Sequence, residues 1–186
     1  MRKVIVSNLV TLDGFFEGPK GELDWFIVEK EFFDYVKEMF KTVDTILFGR
    51  KTYQMMEKYW PTADDNDPTI THQMNKLPKI VFSKTLANAE WNNSKIIRDN
   101  IAEEIHEMKK LPGKNMVIFG SGEIVSFLTN QGLVDEYRII LNPVILGKGN
   151  PMFKSINEKI KLNLLKSKKL KSGVMILYYE PEKVLN

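Results

Sequence analysis

The sequence predicts an α/β layer fold, with strands and helices alternating through the body of the chain and an antiparallel pair of strands at its C-terminal end. Three observations predict it. Short continuous apolar runs, Thr45-Ile46-Leu47-Phe48 and Met116-Val117-Ile118-Phe119, have the composition of strands buried on both faces. Other stretches place apolar residues at helical spacing, as Phe32, Phe33, Val36, Met39 and Phe40 do. Residues 162–170 and 174–179 flank Lys171-Ser172-Gly173, a hairpin signal.

The elements follow in order. Residues 3–9 form the first predicted strand, and Asp13-Gly14 and Gly18-Pro19-Lys20-Gly21 mark a loop after it. The Phe32–Phe40 stripe predicts a helix over 29–41. The strand at 45–48 is stopped by Gly49, and a helix over 51–59 carries Tyr53, Met56 and Tyr59 or Trp60 on one side. Residues 61–78 read as a polar loop between prolines, long enough to suggest a substrate lid. A strand at 79–83 and a short one at Ile96-Ile97 come next. Asn100 stands three residues before Glu103, the spacing of a capping box. The helix that follows presents Ile101, Ile105 and Met108 on one face and ends near Pro112-Gly113. The Met116–Phe119 strand then meets Gly120-Ser121-Gly122, and a helix resumes with Glu123-Ile124-Val125 until Gly132 ends it. Residues 135–146 read as a long strand, with Pro143 suggesting an edge or a bulge. No linker interrupts this order, so one domain over residues 1–186 is expected.

Composition narrows the function classes. The chain has 186 residues, of which 43% are hydrophobic, enough for a real core. It has no cysteine, which excludes disulfide and thiolate chemistry and makes a cytoplasmic location the simplest expectation. The opening Met1–Val6 is too short for a signal peptide, and no apolar run reaches membrane-spanning length. A net charge of +3 is too small to point to nucleic acid. The lysines between Lys154 and Lys171 have no aromatic residue among them, as a nucleic-acid surface would; they fit a solvated edge guarded against aggregation. His72 and His106 have no ligand spacing, so no metal is expected.

Function is suggested at the strand ends. At Gly120-Ser121-Gly122 the chain turns sharply, and the first amides of the next helix lack partners, which suits an anion. Gly49-Arg50-Lys51-Thr52 repeats the arrangement with two cations and a hydroxyl at the mouth of a helix. A third strand ends in Ser83-Lys84-Thr85. Ligands of open α/β sheets bind outside the carboxyl ends of strands. A dinucleotide carrying an extra phosphate would use all three ends.

These residues carry a resemblance. Leu12-Asp13-Gly14, Gly18-Pro19-x-Gly21-Glu22-Leu23-Asp24-Trp25, Gly49-Arg50-x-Thr52-Tyr53, Gly120-Ser121-Gly122, Leu133-Val134-Asp135-Glu136-Tyr137 and the Pro143–Phe153 segment resemble, in order and spacing, the dihydrofolate reductase superfamily. Closest is the branch related to the reductase domain of the bifunctional riboflavin-biosynthesis deaminase–reductase. The resemblance implies a three-layer fold with a central mixed, mostly parallel sheet. It implies an NADPH-dependent reductase acting on a small heterocycle, of the 5-amino-6-(5-phosphoribosylamino)uracil reductase type, and often a homodimer. By position, Gly49, Arg50, Lys51 and Thr52 would hold cofactor phosphates. Ser83 and Lys84 would flank the adenosine 2′-phosphate, and Gly120, Ser121, Gly122 and Glu123 would line the pyrophosphate. Strand one near Asn8 would lie beside the nicotinamide, making Asn8 and the stacking candidate Trp25 the substrate-side residues. Glu31 and Asp34, on the first helix, and Asp13 are the candidate catalytic carboxylates. The sequence departs from the branch at Met56 and Phe119, where the riboflavin-pathway reductase has acidic residues. A genuine dihydrofolate reductase and a nucleotide-binding module without turnover are the alternatives.

Overall fold

The structure is a computed structural model describing residues 1–182. Its strands are β1 (Val4–Thr11), β2 (Phe15–Glu17), β3 (Val43–Gly49), β4 (Lys79–Phe82), β5 (Ser94–Ile97), β6 (Asn115–Ile118), β7 (Glu136–Asn142), β8 (Asn150–Pro151), β9 (Leu162–Lys169) and β10 (Met175–Pro181). Its helices are α1 (Lys30–Phe40), α2 (Arg50–Tyr59), α3 (Pro68–Lys76), α4 (Ile101–Lys110) and α5 (Gly122–Asn130). The main sheet runs β5-β4-β3-β6-β1-β7-β10-β9. Every neighbouring pair from β5 to β7 is parallel, and β10 is antiparallel to both β7 and β9. The dihydrofolate reductase-like layering expected from the sequence is present.

Burial on both faces explains the unbroken apolar runs. Ile5, Ile46, Phe48 and Val117 pack beneath α1, α2 and α3, whereas Val4, Val6, Leu47, Met116 and Ile118 pack against α4 and α5. Phe48 stacks on Trp91 at 6.0 Å, and the buried Tyr53 donates from its hydroxyl to Glu57 at 2.9 Å. These contacts anchor α2 just past its first turn, which fixes where Arg50–Thr52 can point.

Four sequence expectations need correction. Residues 61–78 do not form a loop or a lid. They hold a 3-10 turn at Trp60–Thr62 and then α3, which buries Ile70 and Met74 one turn apart. Its start is signalled by Asp67-Pro68: the Asp67 carboxylate accepts from Thr69 N at 2.9 Å, and Pro68 occupies the first turn, where its missing N–H costs nothing. Asn100 forms no capping box; it is left-handed, with φ 54, and its side chain makes no cap bond. The long strand ends at Asn142, between β1 and β10 in the sheet interior, so Pro143 follows the ladder rather than marking an edge. Residues 15–17, inside the loop read after the first strand, instead form β2 and pair with residues 150–151 as the small antiparallel sheet β2–β8.

Lys79, the first residue of β4, is fully buried. Its ammonium donates to the carbonyls of Asn75, Leu77 and Asn92 at 2.8–3.0 Å and lies 4.3 Å from the Trp91 ring centre. It closes the C-terminal end of α3, where a cation is favoured. Burial nevertheless pushes the amine down from 10.5 to about 8. Between those values the unfolded chain holds a proton that the folded chain has released, so raising the pH through that window stabilises the fold. Relative to Lys79→Met, the wild type is expected to gain up to about 1.4 kcal/mol per pH unit there, read from urea midpoints.

Candidate functional site

The carboxyl ends of β3, β4 and β6 open onto one groove of about 340 Å³. Gly49, Arg50, Lys51, Thr52, Ser83, Lys84, Ser121, Gly122 and Glu123 all line it, so the three strand ends named from the sequence are brought together. Its lining carries Arg50, Lys51, Lys84 and Lys154 against the carboxylates of Glu17 and Glu123. Lys51 and Lys84 reach Glu123 and Asp99 only loosely, at 3.7 and 3.6 Å, and remain mostly exposed. Such surface pairs contribute little and yield readily to a better anion.

Two helices begin here, and neither α2 nor α5 has a side-chain cap bond at its N-terminus. Their first-turn amides are the donors an anion would need. Gly49 sits where a Cβ would come within 3.1 Å of Ile124, so glycine lets the two helix starts approach. Gly120 and Ser121 are consecutive left-handed residues, with φ 59 and 55. A Cβ on Gly120 would press on Thr52 at 3.0 Å, so only glycine meets both the angle and the space.

A set of internal bonds holds this turn. Ser121 N donates to Thr52 Oγ1 at 3.0 Å, and Gly49 N donates to Ser121 Oγ at 2.9 Å. Asn8 Oδ1 accepts from Gly120 N at 2.6 Å, while its Nδ2 donates to Gly120 O at 2.9 Å. The expectation that Gly120 and Ser121 offer free amides to a pyrophosphate is thereby corrected: both amides are already used, and the available donors begin at Gly122. Asn8 likewise is committed to the turn rather than free for a substrate. Ser83 Oγ accepts from Thr85 N and Leu86 N at 3.2 and 2.9 Å, shaping the loop that carries Lys84. Arg98 braces that loop from behind through Leu86 O at 2.9 Å and Ala87 O at 3.2 Å.

The carboxylate candidates lie outside the groove. Asp13 accepts from Thr11 Oγ1 at 2.6 Å and Gly147 N at 2.8 Å, tying two loops. The Thr11 hydroxyl, with those amides, holds its carboxyl below the usual carboxylate range, which suits a clasp and not a proton donor. Asp34 pairs with Lys30 at 2.9 Å and Lys37 at 3.2 Å, and these bonds, Lys30 first, also lower its pKa. It faces a separate depression of about 850 Å³ that includes Val43, at the amino end of β3. Glu31 accepts from Lys171 N at 2.8 Å and fastens the β9–β10 turn. Trp25 is half-buried, donates to Glu22 O at 3.3 Å and meets Phe26 edge-on. The far wall of the groove, Phe16, Glu17, Asn150 and Lys154, escaped the sequence reading. It comes from the β2–β8 pairing, whose partners lie too far apart in sequence to be matched by pattern.

The arrangement can hold a polyanion, with four cations in the lining and two uncapped helix starts beside them. Comparison with known proteins places the chain in a family and a fold. An uncharacterised protein of Bacillus subtilis, YyaP, is 37% identical over 182 residues, covering 96% of this chain and 94% of its own. A Shewanella sp. PV-4 structure provisionally assigned to riboflavin biosynthesis shares the fold at TM-score 0.77 and 21% identity, over 97% of this chain and 99% of that one. A dihydrofolate reductase from Enterococcus faecalis, solved with NADP(H), shares it at TM-score 0.66 and 16% identity, over 97% of each chain. The model of the RibD C-terminal domain matches residues 2–176, nearly the whole sequence, and the chain therefore belongs to the RibD C-terminal domain family.

Proposed function

We propose that the groove binds NADPH and that the chain uses it to reduce a small heterocyclic substrate, as the riboflavin-pathway reductase does. One observation carries the reading: two uncapped helix N-termini and a surplus of cations converge on one groove across three strand ends. A dinucleotide with a third phosphate offers an anionic group to each of the three strand ends. In this reading Arg50, Lys51 and the first amides of α2 take one phosphate. The α5 amides from Gly122 onward take the pyrophosphate, and Lys84 faces the adenosine 2′-phosphate. The cofactor supplies hydride when bound; the chain binds it, orients it and excludes water. Family membership and the NADP(H) held by the similar dihydrofolate reductase support the cofactor class.

The proton needs another source than the carboxylates named from sequence, because Asp13, Asp34 and Glu31 are all engaged elsewhere. A bound water serves. The same observation favours a second reading, a nucleotide-binding module without turnover. Thermal melting tests the first step. Nucleotide at a hundred times its Kd stabilises by about 2.7 kcal/mol, a rise of about 5–10 °C for a chain of this length. NADPH is expected to raise the midpoint more than NADH, and Lys84→Ala to narrow the gap; equal rises would remove the 2′-phosphate site. NADPH oxidation with a ribosylaminopyrimidine or with dihydrofolate then establishes a reductase, whereas binding without oxidation by either favours a module or a different substrate.

A further inference from the structure

We infer that Asn8 is a positioning residue of the groove: its buried carboxamide sets the Gly120–Ser121 turn from which α5 presents its free amides. Asn8 is 2% exposed and does not line the groove. One side chain satisfies both polar groups of Gly120, a residue 112 positions away. The orientation of the carboxamide is forced, because Gly120 N can only donate and Gly120 O can only accept. Serine and threonine cannot reproduce it, since a hydroxyl is no planar fork, and an ionised aspartate offers only acceptors.

The turn needs such a hold. Consecutive left-handed residues persist only where the surroundings over-determine them, and Ser121 has a side chain that disfavours this conformation. Thr52 and Gly49 fix Ser121 from the α2 side. Asn8 fixes Gly120 from the β1 side, and β1 is itself flanked by β6 and β7, so its backbone has no room to shift. The direction of the Gly122 and Glu123 amides follows from the turn before them. Without the Asn8 fork, the floor keeps its cations but loses the aim of its backbone donors.

The inference takes its ligand from the NADPH reading above, and the test separates the two. NADPH affinity is measured by titration calorimetry for the wild type, Asn8→Ala, Asn8→Asp and Val6→Ala. Val6 is fully buried on the same strand and outside the groove, so its variant supplies lost stability without a lost clasp. Both Asn8 variants are expected to weaken NADPH roughly tenfold or more, while Val6→Ala binds as the wild type does even where it melts lower. Amide exchange at Gly120 is expected to quicken in Asn8→Ala and not in Val6→Ala. Should Asn8→Ala fail to fold, Asn8→Asp, measured at a pH where the carboxyl is ionised, keeps an acceptor for Gly120 N, sets repulsion in place of the bond to Gly120 O, and carries the test. A wild type that binds no NADPH sinks the reading of the groove. A wild type that binds while folded Asn8 variants bind equally well, or no worse than Val6→Ala, overturns the role of Asn8 alone.

Discussion

Gly120→Ala is expected to destabilise the fold by about 2–5 kcal/mol and to abolish the melting shift with NADPH. Two effects add. A side chain at φ 59 carries the left-handed penalty of about 1–2 kcal/mol. The new methyl would also lie 3.0 Å from Thr52 Cγ2 and 3.1 Å from its Oγ1. Thr52 would have to move, and Ser121 N would lose its acceptor, at about 1–3 kcal/mol for a buried unpaired donor. Chemical denaturation measures the first consequence and nucleotide titration the second. The informative comparison is Gly132→Ala: Gly132 is also left-handed, at φ 64, but a Cβ there meets nothing within 4 Å. It should show the angular penalty alone and leave binding intact. Equal losses at the two glycines would mean that the Thr52 contact contributes nothing.

Arg50→Glu is expected to leave stability within about 0.5 kcal/mol of the wild type while weakening NADPH about a hundredfold. Arg50 is exposed, and among the described residues its guanidinium donates only to Gln54, at 3.2 Å, so the fold has little invested in it. A charge-assisted bond to a phosphate contributes about 1.5–3 kcal/mol, and reversal adds repulsion to its loss. Added salt should close part of the gap, because solvent-facing charges are screened. A loss of affinity insensitive to ionic strength would point to a distorted α2 instead. Titration at low and high salt, beside a melting curve without ligand, reads each quantity.

What the sequence disclosed and what it hid have physical reasons. The ends of β3, β4 and β6 were legible because glycine or a hydroxyl-cation pair interrupts a buried apolar run, a local signal. Their convergence on one groove followed from parallel strands having their carboxyl ends on the same side. Helix α3 was hidden because Pro68 is a punctuation mark in most contexts, and its meaning changes only when Asp67 before it is recognised as a cap. The carboxylates were the hardest to judge. Nothing near Glu31 in sequence announces that Lys171 N will bind it, and Asp13 gives no local sign of its bond to Gly147. The groove's far wall was hidden for the same reason, since Glu17 meets Asn150 across 133 residues.

The place of β1 in the sheet has a consequence for biosynthesis. It is made before every other strand of its sheet, yet its neighbours are residues 116–118 on one side and 136–142 on the other. While residues 12–115 are made, at about 5–20 residues per second, a strand that the fold buries waits with both backbone edges open. High contact order of this kind slows folding and lengthens exposure to aggregation. Chaperone capture early in synthesis, ending when β7 emerges, is the timing this topology dictates.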